Sequence, residues 1–329
     1  MFKPIGRRAL LAFTAAALLQ PAIAAAQDYP NRPITIVVPL AAGSGMDTLV
    51  RLYADKLQGV LGQPVVVENR PGASLMLAAA TVAKAPADGY TLLVSTSSAM
   101  AINPVLYKSI NYNPVKDFIP ISYYVKSPMI LVVNPDLPAK NVPELIKLAK
   151  ESGKPLTYSS PGAGVAQHLS MEYMKKRFGL DITHVPYKNT PQSIADIAAG
   201  HVNLGFAEAG ASLPLIRDGK LRALAVSATS RIPSLPEVPP FSEAASAPDF
   251  EAVSWHMLFA PAGTPQAIVD RLHAEMKKIM ADPEMIKMTE KIGLIPVNSP
   301  GIDGIQTYLA SEREKWGGLV KQIGLEGSM

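Results

Sequence analysis

The chain has 329 residues, with 31 basic against 27 acidic, five histidines and no cysteine. The missing cysteine excludes disulfides, thiolate metal sites and a cysteine nucleophile. No basic run or tail stands out, which argues against nucleic acid as a partner.

Residues 1–26 have the layout of an export leader. Lys3, Arg7 and Arg8 precede the apolar run Ala9–Leu19, and Ala24-Ala25-Ala26 offers a cleavage site. The run is shorter than the roughly 20 residues of a membrane span. Arg7-Arg8 fits a twin-arginine signal and an ordinary secretory signal alike. The leader takes three basic residues and no acidic one, leaving 28 basic residues against 27 acidic. A soluble periplasmic protein, long enough for two domains, is expected.

From there short β-branched runs alternate with helical patterns. Ile34–Val38 reads as a buried strand, and Leu49, Tyr53, Leu57 and Leu61 recur at helical spacing. A strand at Pro64–Glu68, a helix at Ser74–Lys84 and a strand at Tyr90–Ser95 follow, with a loop at Thr96–Ser98. This order implies parallel strands with helices on both faces. The extended runs Phe118–Val125 and Met129–Asn134 flank Ser127-Pro128 and read as a crossover. The second lobe repeats the logic: helix Pro143–Glu151, strand Leu156–Ser159, helix Val165–Arg177, strand Ile182–Tyr187, helix Gln192–Ala199 and strands Val202–Ala207 and Leu221–Ser227. The irregular stretch Arg231–Pro248 leads back to a return strand, Val253–Ala260. Helices at Pro265–Ala281, Pro283–Ile292 and Gly301–Ile323 close the chain.

Two loops invite chemistry. The first, Leu40-Ala41-Ala42-Gly43-Ser44-Gly45, joins the first strand to its helix and leaves backbone N–H groups free at a helix start, a setting that attracts anions. It lacks the Lys-Ser/Thr of a phosphate loop and the third glycine of a dinucleotide fingerprint. Ser44 and Asp47 match a capping box, so Asp47 is expected to cap the helix. On composition alone, a tight turn and an anion seat stay equally open. The second loop, Ser160-Pro161-Gly162-Ala163-Gly164-Val165, has the same character, and it too sits at the carboxyl end of a strand, where open α/β sheets bind ligands. Two such loops facing across a cleft favour the anion reading.

Around them, Ser97 is a candidate hydroxyl from the first lobe. His168 lies just inside the second helix, where a structural hydrogen bond is the simpler role. Tyr187 and Asn189 end another strand. Ala207 ends the next, and Glu208 after it is expected to face solvent. Phe206 and Trp255 are expected in the core. There is no Gly-x-Ser-x-Gly elbow, no His-Glu-x-x-His and no histidine pair at metal-ligand spacing, so no enzyme, metal site or cofactor is expected.

Several strings carry a resemblance: Tyr29-Pro30-Asn31-Arg32-Pro33, Glu68-Asn69-Arg70-Pro71-Gly72-Ala73, Asp88-Gly89-Tyr90, His184-Val185-Pro186-Tyr187-Lys188 and Ala260-Pro261-Ala262-Gly263-Thr264-Pro265. Together they resemble the Bug or TctC family, the extracytoplasmic receptors of tripartite tricarboxylate transporters, over essentially the whole chain after the leader. The resemblance implies a two-lobed α/β periplasmic binding protein, type II-like, each lobe a mostly parallel sheet flanked by helices. Lobe I would span 27–124 and 255–329, and lobe II 125–254. It implies a monomer that binds a small carboxylate between the lobes and hands it to membrane permease subunits. The second-lobe loop, Ser160–Val165, would grip a carboxylate directly, and the first-lobe loop, Leu40–Gly45, partly through waters.

The chain departs from the family pattern. The first loop lacks the usual prolines, Ser74-Leu75 stand where two glycines are usual, Asn189 replaces a glycine, and Ala207 stands where the strand ends in an acidic residue. A sensing module with the same cleft is an alternative, and an exported hydrolase using a serine near His168 a remote one.

Overall fold

The computed structural model describes residues 29–329. The expected leader lies outside them. Two sheets organise the chain. The first holds β1 (Ile34–Val38), β2 (Val65–Asn69), β3 (Thr91–Thr96), β4 (Phe118–Ser127), β10 (Ser254–Pro261) and β11 (Ile295–Pro296), in the order β11-β4-β10-β3-β1-β2. The second holds β5 (Met129–Val133), β6 (Leu156–Ser160), β7 (Ile182–Pro186), β8 (Leu204–Glu208) and β9 (Arg222–Val226), in the order β7-β6-β8-β5-β9.

Strand direction decides where the helices start. In the first sheet β1, β2, β3 and β4 point one way while β10 and β11 oppose them. In the second sheet only β5 opposes the other four. A helix after a strand therefore begins at the same edge of its sheet. The β1 side chains Ile34, Ile36 and Val38 enter one core and Val37 another. Such two-sided burial explains the unbroken apolar run of this strand.

The helix Gly45–Leu61 buries Leu49, Val50, Tyr53, Leu57 and Leu61 and stops at Gly62, whose φ of 70° is left-handed. Most other elements lie within two residues of their expected bounds, and three of the differences lie close to the site. The helix expected from Ser74 begins at Met76, because Ala73, Ser74 and Leu75 take left-handed φ values of 46°, 51° and 73°. Each such non-glycine residue costs roughly 1–2 kcal/mol. Residues 98–106, with no helix expected, form a π-helical turn Ser98–Ile102 running into Asn103–Leu106. A further unforeseen helix, Ala209–Arg217, contains Pro214.

Two segments cross between the sheets side by side. The first is Ser127-Pro128-Met129, between β4 and β5; the second is the stretch between β9 and β10. Ser127 registers against Ser254 in the first sheet. The Ser227 N–H donates to the Met129 carbonyl at 2.8 Å, and the Ser227 hydroxyl accepts the Met129 N–H at 2.8 Å. The largest core does not respect the sheets: Leu106, Trp316 and Val320 pack into it with Leu131, Leu169 and Met171.

Glu312, on the helix Ile302–Gln322, is buried, and one of its oxygens accepts from both Trp255 Nε1 (2.8 Å) and Trp316 Nε1 (3.0 Å). It ties the start of β10 to that helix. Glu312→Leu leaves both buried indole N–H groups without an acceptor, at about 1–3 kcal/mol each. Urea unfolding is expected to show a loss of about 2–4 kcal/mol with an unchanged slope. A loss below about 0.5 kcal/mol, the scale of an ordinary surface change, would show the shared acceptor to be dispensable.

Candidate functional site

The carboxyl edges of the two sheets face each other and enclose a cavity of about 470 Å3. That is within the range, roughly 300–1,000 Å3, of small-molecule sites. Among the helix starts that reach its wall are three that follow a strand and its loop: Ser44 and Met46 at the helix Gly45–Leu61, Ala166 and Gln167 at the helix Ala166–Phe178, and Asn189 and Thr190 at the helix Thr190–Ala198.

The three starts are not equivalent. In the first, Ser44 accepts the Asp47 N–H, and the Asp47 carboxylate accepts the Gly43 N–H at 2.9 Å and pairs with Arg51. Burial alone would raise the Asp47 pKa, but hydrogen bonds from Arg51, Gly43 and Asn69 outweigh it and hold the carboxyl below its usual range. This helix start carries its own negative charge, as the capping-box reading expects. The helices at Ala166 and Thr190 have no acidic residue in the first turn. The Ala166 N–H goes to Ser98 Oγ and the Gln192 N–H to the Asn189 side chain, so both starts are capped by neutral groups and their dipoles meet no charge. Thr190 adds a buried Oγ1 with no hydrogen-bond partner.

The loop 161–165 bends this sharply because Gly162 and Gly164 take φ values of 141° and 81°, conformations open to glycine. It is held from behind. Tyr158 and His184 are register partners on β6 and β7, so their rings share a face and stack at 4.7 Å, with His168 stacked on His184 at 4.4 Å. The Ser160 hydroxyl donates to the Gly162 carbonyl at 2.8 Å. Its one proton is used there, so His184 Nε2, 2.7 Å away, is the donor to Ser160 Oγ. The Gly164 N–H donates to His168 Nδ1 at 3.2 Å, which requires a neutral imidazole. The Ser160 and His168 side chains thus shape the loop from beneath, and neither lines the cavity.

Of the residues expected at the ligand, Leu40, Ala41, Ala42, Ser44, Gly162, Val165, Tyr187 and Asn189 line the cavity. Gly43 turns away to Asp47, and Gly45 packs against Gly210. Ser97 lies one layer back, its hydroxyl 2.8 Å from that of Ser254; its neighbours Thr96 and Ser98 face inward instead. The Ala163 carbonyl accepts from the Ser74 hydroxyl at 2.8 Å, a bond that crosses from the first sheet's side to the second's. Gly164 is packed against Leu106 and Asn103. Ala207 is buried in the core behind β8, and the strand runs one residue further, to Glu208. The strand does end in an acid, and that acid lines the cavity rather than facing solvent.

Glu208 is enclosed by protein in spite of its opening to the cavity. Burial raises its pKa above the usual carboxylate range, opposed by a long 3.4 Å hydrogen bond from Gln167. His256, Ser254, Ser127 and Met129, where the crossing segments meet the sheets, complete this wall, as do Gly72–Leu75 from the loop after β2. Sequence reasoning placed none of them at the ligand. Phe206 and Trp255 are in the core as expected. Lys188 is the only cationic residue on the wall, and it is exposed. Among the described residues no cluster of three metal-ligating side chains occurs, and no helix is long and apolar enough to cross a membrane.

Comparison with known proteins gives a consistent picture. The profile of the TctC, or tripartite tricarboxylate transporter family receptor, matches residues 49–325. The protein BugT of Bordetella pertussis is 34% identical over 300 residues, covering 91% of each chain. The structure of R. palustris Rpa4515 with adipate is 36% identical with a TM-score of 0.85, covering 90% of this chain and 99% of that one. MatC (Rpa3494) from Rhodopseudomonas palustris with bound malate is 29% identical with a TM-score of 0.82, covering 89% and 100%.

The buried histidines make stability depend on pH. Burial holds His168 down to about 4 and His256 to about 3, against 6.5 for a free imidazole. As pH falls below 6.5 the unfolded chain takes up these protons first. Stability is therefore full above about pH 7 and is lost progressively toward pH 4. By pH 5 each of these two costs about 2 kcal/mol. Urea midpoints measured from pH 8 to pH 5 should be flat and then fall, with the fall reduced in His168→Gln; a flat profile down to pH 5 would contradict the burial of neutral imidazoles.

Proposed function

The chain belongs to the tripartite tricarboxylate transporter receptor family, which includes the Bug proteins, and on that premise we propose that its cavity holds a small organic carboxylate for delivery to a membrane transporter. The observation that carries the reading is the pair of helix starts at Ala166 and Thr190, neither answered by a charge in its first turn, with an unpartnered hydroxyl on Thr190. A carboxylate seated there accepts N–H and O–H donors without a basic side chain. Each hydrogen bond to a charged group contributes on the order of 1.5–3 kcal/mol, and three or four reach the roughly −8 kcal/mol of micromolar binding.

The first-lobe loop then closes over the ligand without competing for its charge, because Asp47 already answers that helix start. The adipate and malate bound by the two relatives support a carboxylate as ligand class. The remaining steps are receptor steps: the lobes close by hinge motion about the paired crossing segments, and the closed form docks on the permease. The leader pattern at 1–26 supports a place outside the cytoplasm.

A thermal-shift and calorimetry panel of mono-, di- and aromatic carboxylates tests the reading. A ligand at a hundredfold excess over its Kd stabilises the native state by about 2.7 kcal/mol. At least one acid should raise the melting temperature and bind to the wild-type protein; silence across the panel sinks the proposal. Thr190→Val should weaken that acid about tenfold, the equivalent of about 1.4 kcal/mol, while leaving the fold intact. Deletion of the gene should abolish uptake of the same acid.

A further inference from the structure

The carboxylate seat leaves part of the cavity wall unexplained, the stretch formed by Glu208, His256, Ser127 and Ser254. Glu208 and His256 also line, with Ser127, a neighbouring void of about 10 Å3, so the two side chains belong to one polar corner. His256 is 4% exposed, and its Nδ1 has no hydrogen-bond partner. Glu208 meets no cation among the described residues; its hydrogen bond is the long one from the Gln167 amide. The Glu208 carboxyl keeps only that one long bond and His256 Nδ1 none, so hydrogen-bonding capacity at this corner is unfilled.

Resting on the carboxylate reading above, the geometry points to a second pole of the same site, at which Glu208 and His256 accept a hydrogen bond from the ligand. The ligand is then a carboxylate that also carries a donor, a hydroxyl or an ammonium group, rather than a plain mono- or dicarboxylate. A second carboxylate at this corner would face Glu208 with no cation to separate the like charges. A methylene would leave both acceptors unpaired, and a site built to bond a hydroxyl or amine rejects the analogue lacking it far more strongly than an apolar pocket rejects an extra one. Serine hydroxyls at 127 and 254 adapt to either donor, since each both donates and accepts. Apolar lining elsewhere in the cavity, Leu40, Met46, Leu75 and Met129 among it, suits a short hydrocarbon chain.

Titration calorimetry with hexanoate, adipate and the hexanoates carrying a hydroxyl or an amine at C2 or C6 separates the possibilities. At least one donor-bearing acid should bind about tenfold or more tighter than hexanoate and adipate. Glu208→Leu should erase that advantage while hexanoate stays within about threefold of its wild-type affinity. Glu208→Gln, the isosteric variant, separates the two donor types: a hydroxyl advantage should persist in part, and an amine advantage, which needs the charge, should be lost. Hexanoate or adipate binding as tightly as every donor-bearing acid overturns this inference alone, as does an advantage that survives Glu208→Leu. Binding of none of these acids overturns this inference, while the carboxylate reading falls only if the wider panel is silent too.

Discussion

A helix that follows a strand of a parallel sheet begins at the strand's carboxyl end, and its first N–H groups have no partner in the helix itself. In this chain that rule acts twice. The shared direction of β1 to β4, and of four strands in the second sheet, gathers the unpaired helix starts along two edges. The two crossing segments then turn those edges toward each other. The chemistry of the cleft depends on how each start is satisfied. Asp47 closes the first from within, with Arg51 and Asn69 holding its carboxylate. The starts at Ala166 and Thr190 are capped by neutral groups alone, and so the two jaws differ although their loops look alike in composition.

The stacked rings beneath the second loop extend the same logic inward. A loop that bends this sharply at the cavity must be held from behind. Here the shape is fixed from below by Ser160, His168 and His184, whose bonds go to the Gly162 carbonyl and the Gly164 N–H. On the first-sheet side the comparable support comes from residues 73–75. Their left-handed backbone is anchored by Asn103, which donates to the Ser74 carbonyl at 2.8 Å, and by Tyr107, which donates to the Ser74 hydroxyl at 2.8 Å.

Much of this was legible in the residues. Ile34–Val38 was delimited to the residue by its apolar run and the glycine-bearing loop behind it, and the Ser44–Asp47 spacing revealed the cap. Local signals of that kind survive folding because nothing distant competes with them. Residues 73–75 resisted for the opposite reason. Ala, Ser and Leu give no sign of a left-handed backbone, which is imposed by bonds from residues about 30 positions away. Pro214 hid the helix around it. Glu208 looked like a solvated surface acid because an acid at a strand end usually is one; the opposing lobe encloses it, and no pattern along β8 records that lobe. His256 was invisible for a related cause, since β10 enters the sheet from the far end of the chain.

The pairing of Trp255 and Trp316 through Glu312 has an optical consequence. These are the only two tryptophans in the sequence. Both indoles are almost fully buried, and both donate to one carboxylate oxygen, so they share an electrostatic environment. Trp255 follows Ser254, a residue of the cavity wall at the crossing into the second lobe, while Trp316 sits in the core that spans both sheets. Intrinsic emission therefore reads the surroundings of one carboxylate, and its release on unfolding can be timed in the unlabelled protein.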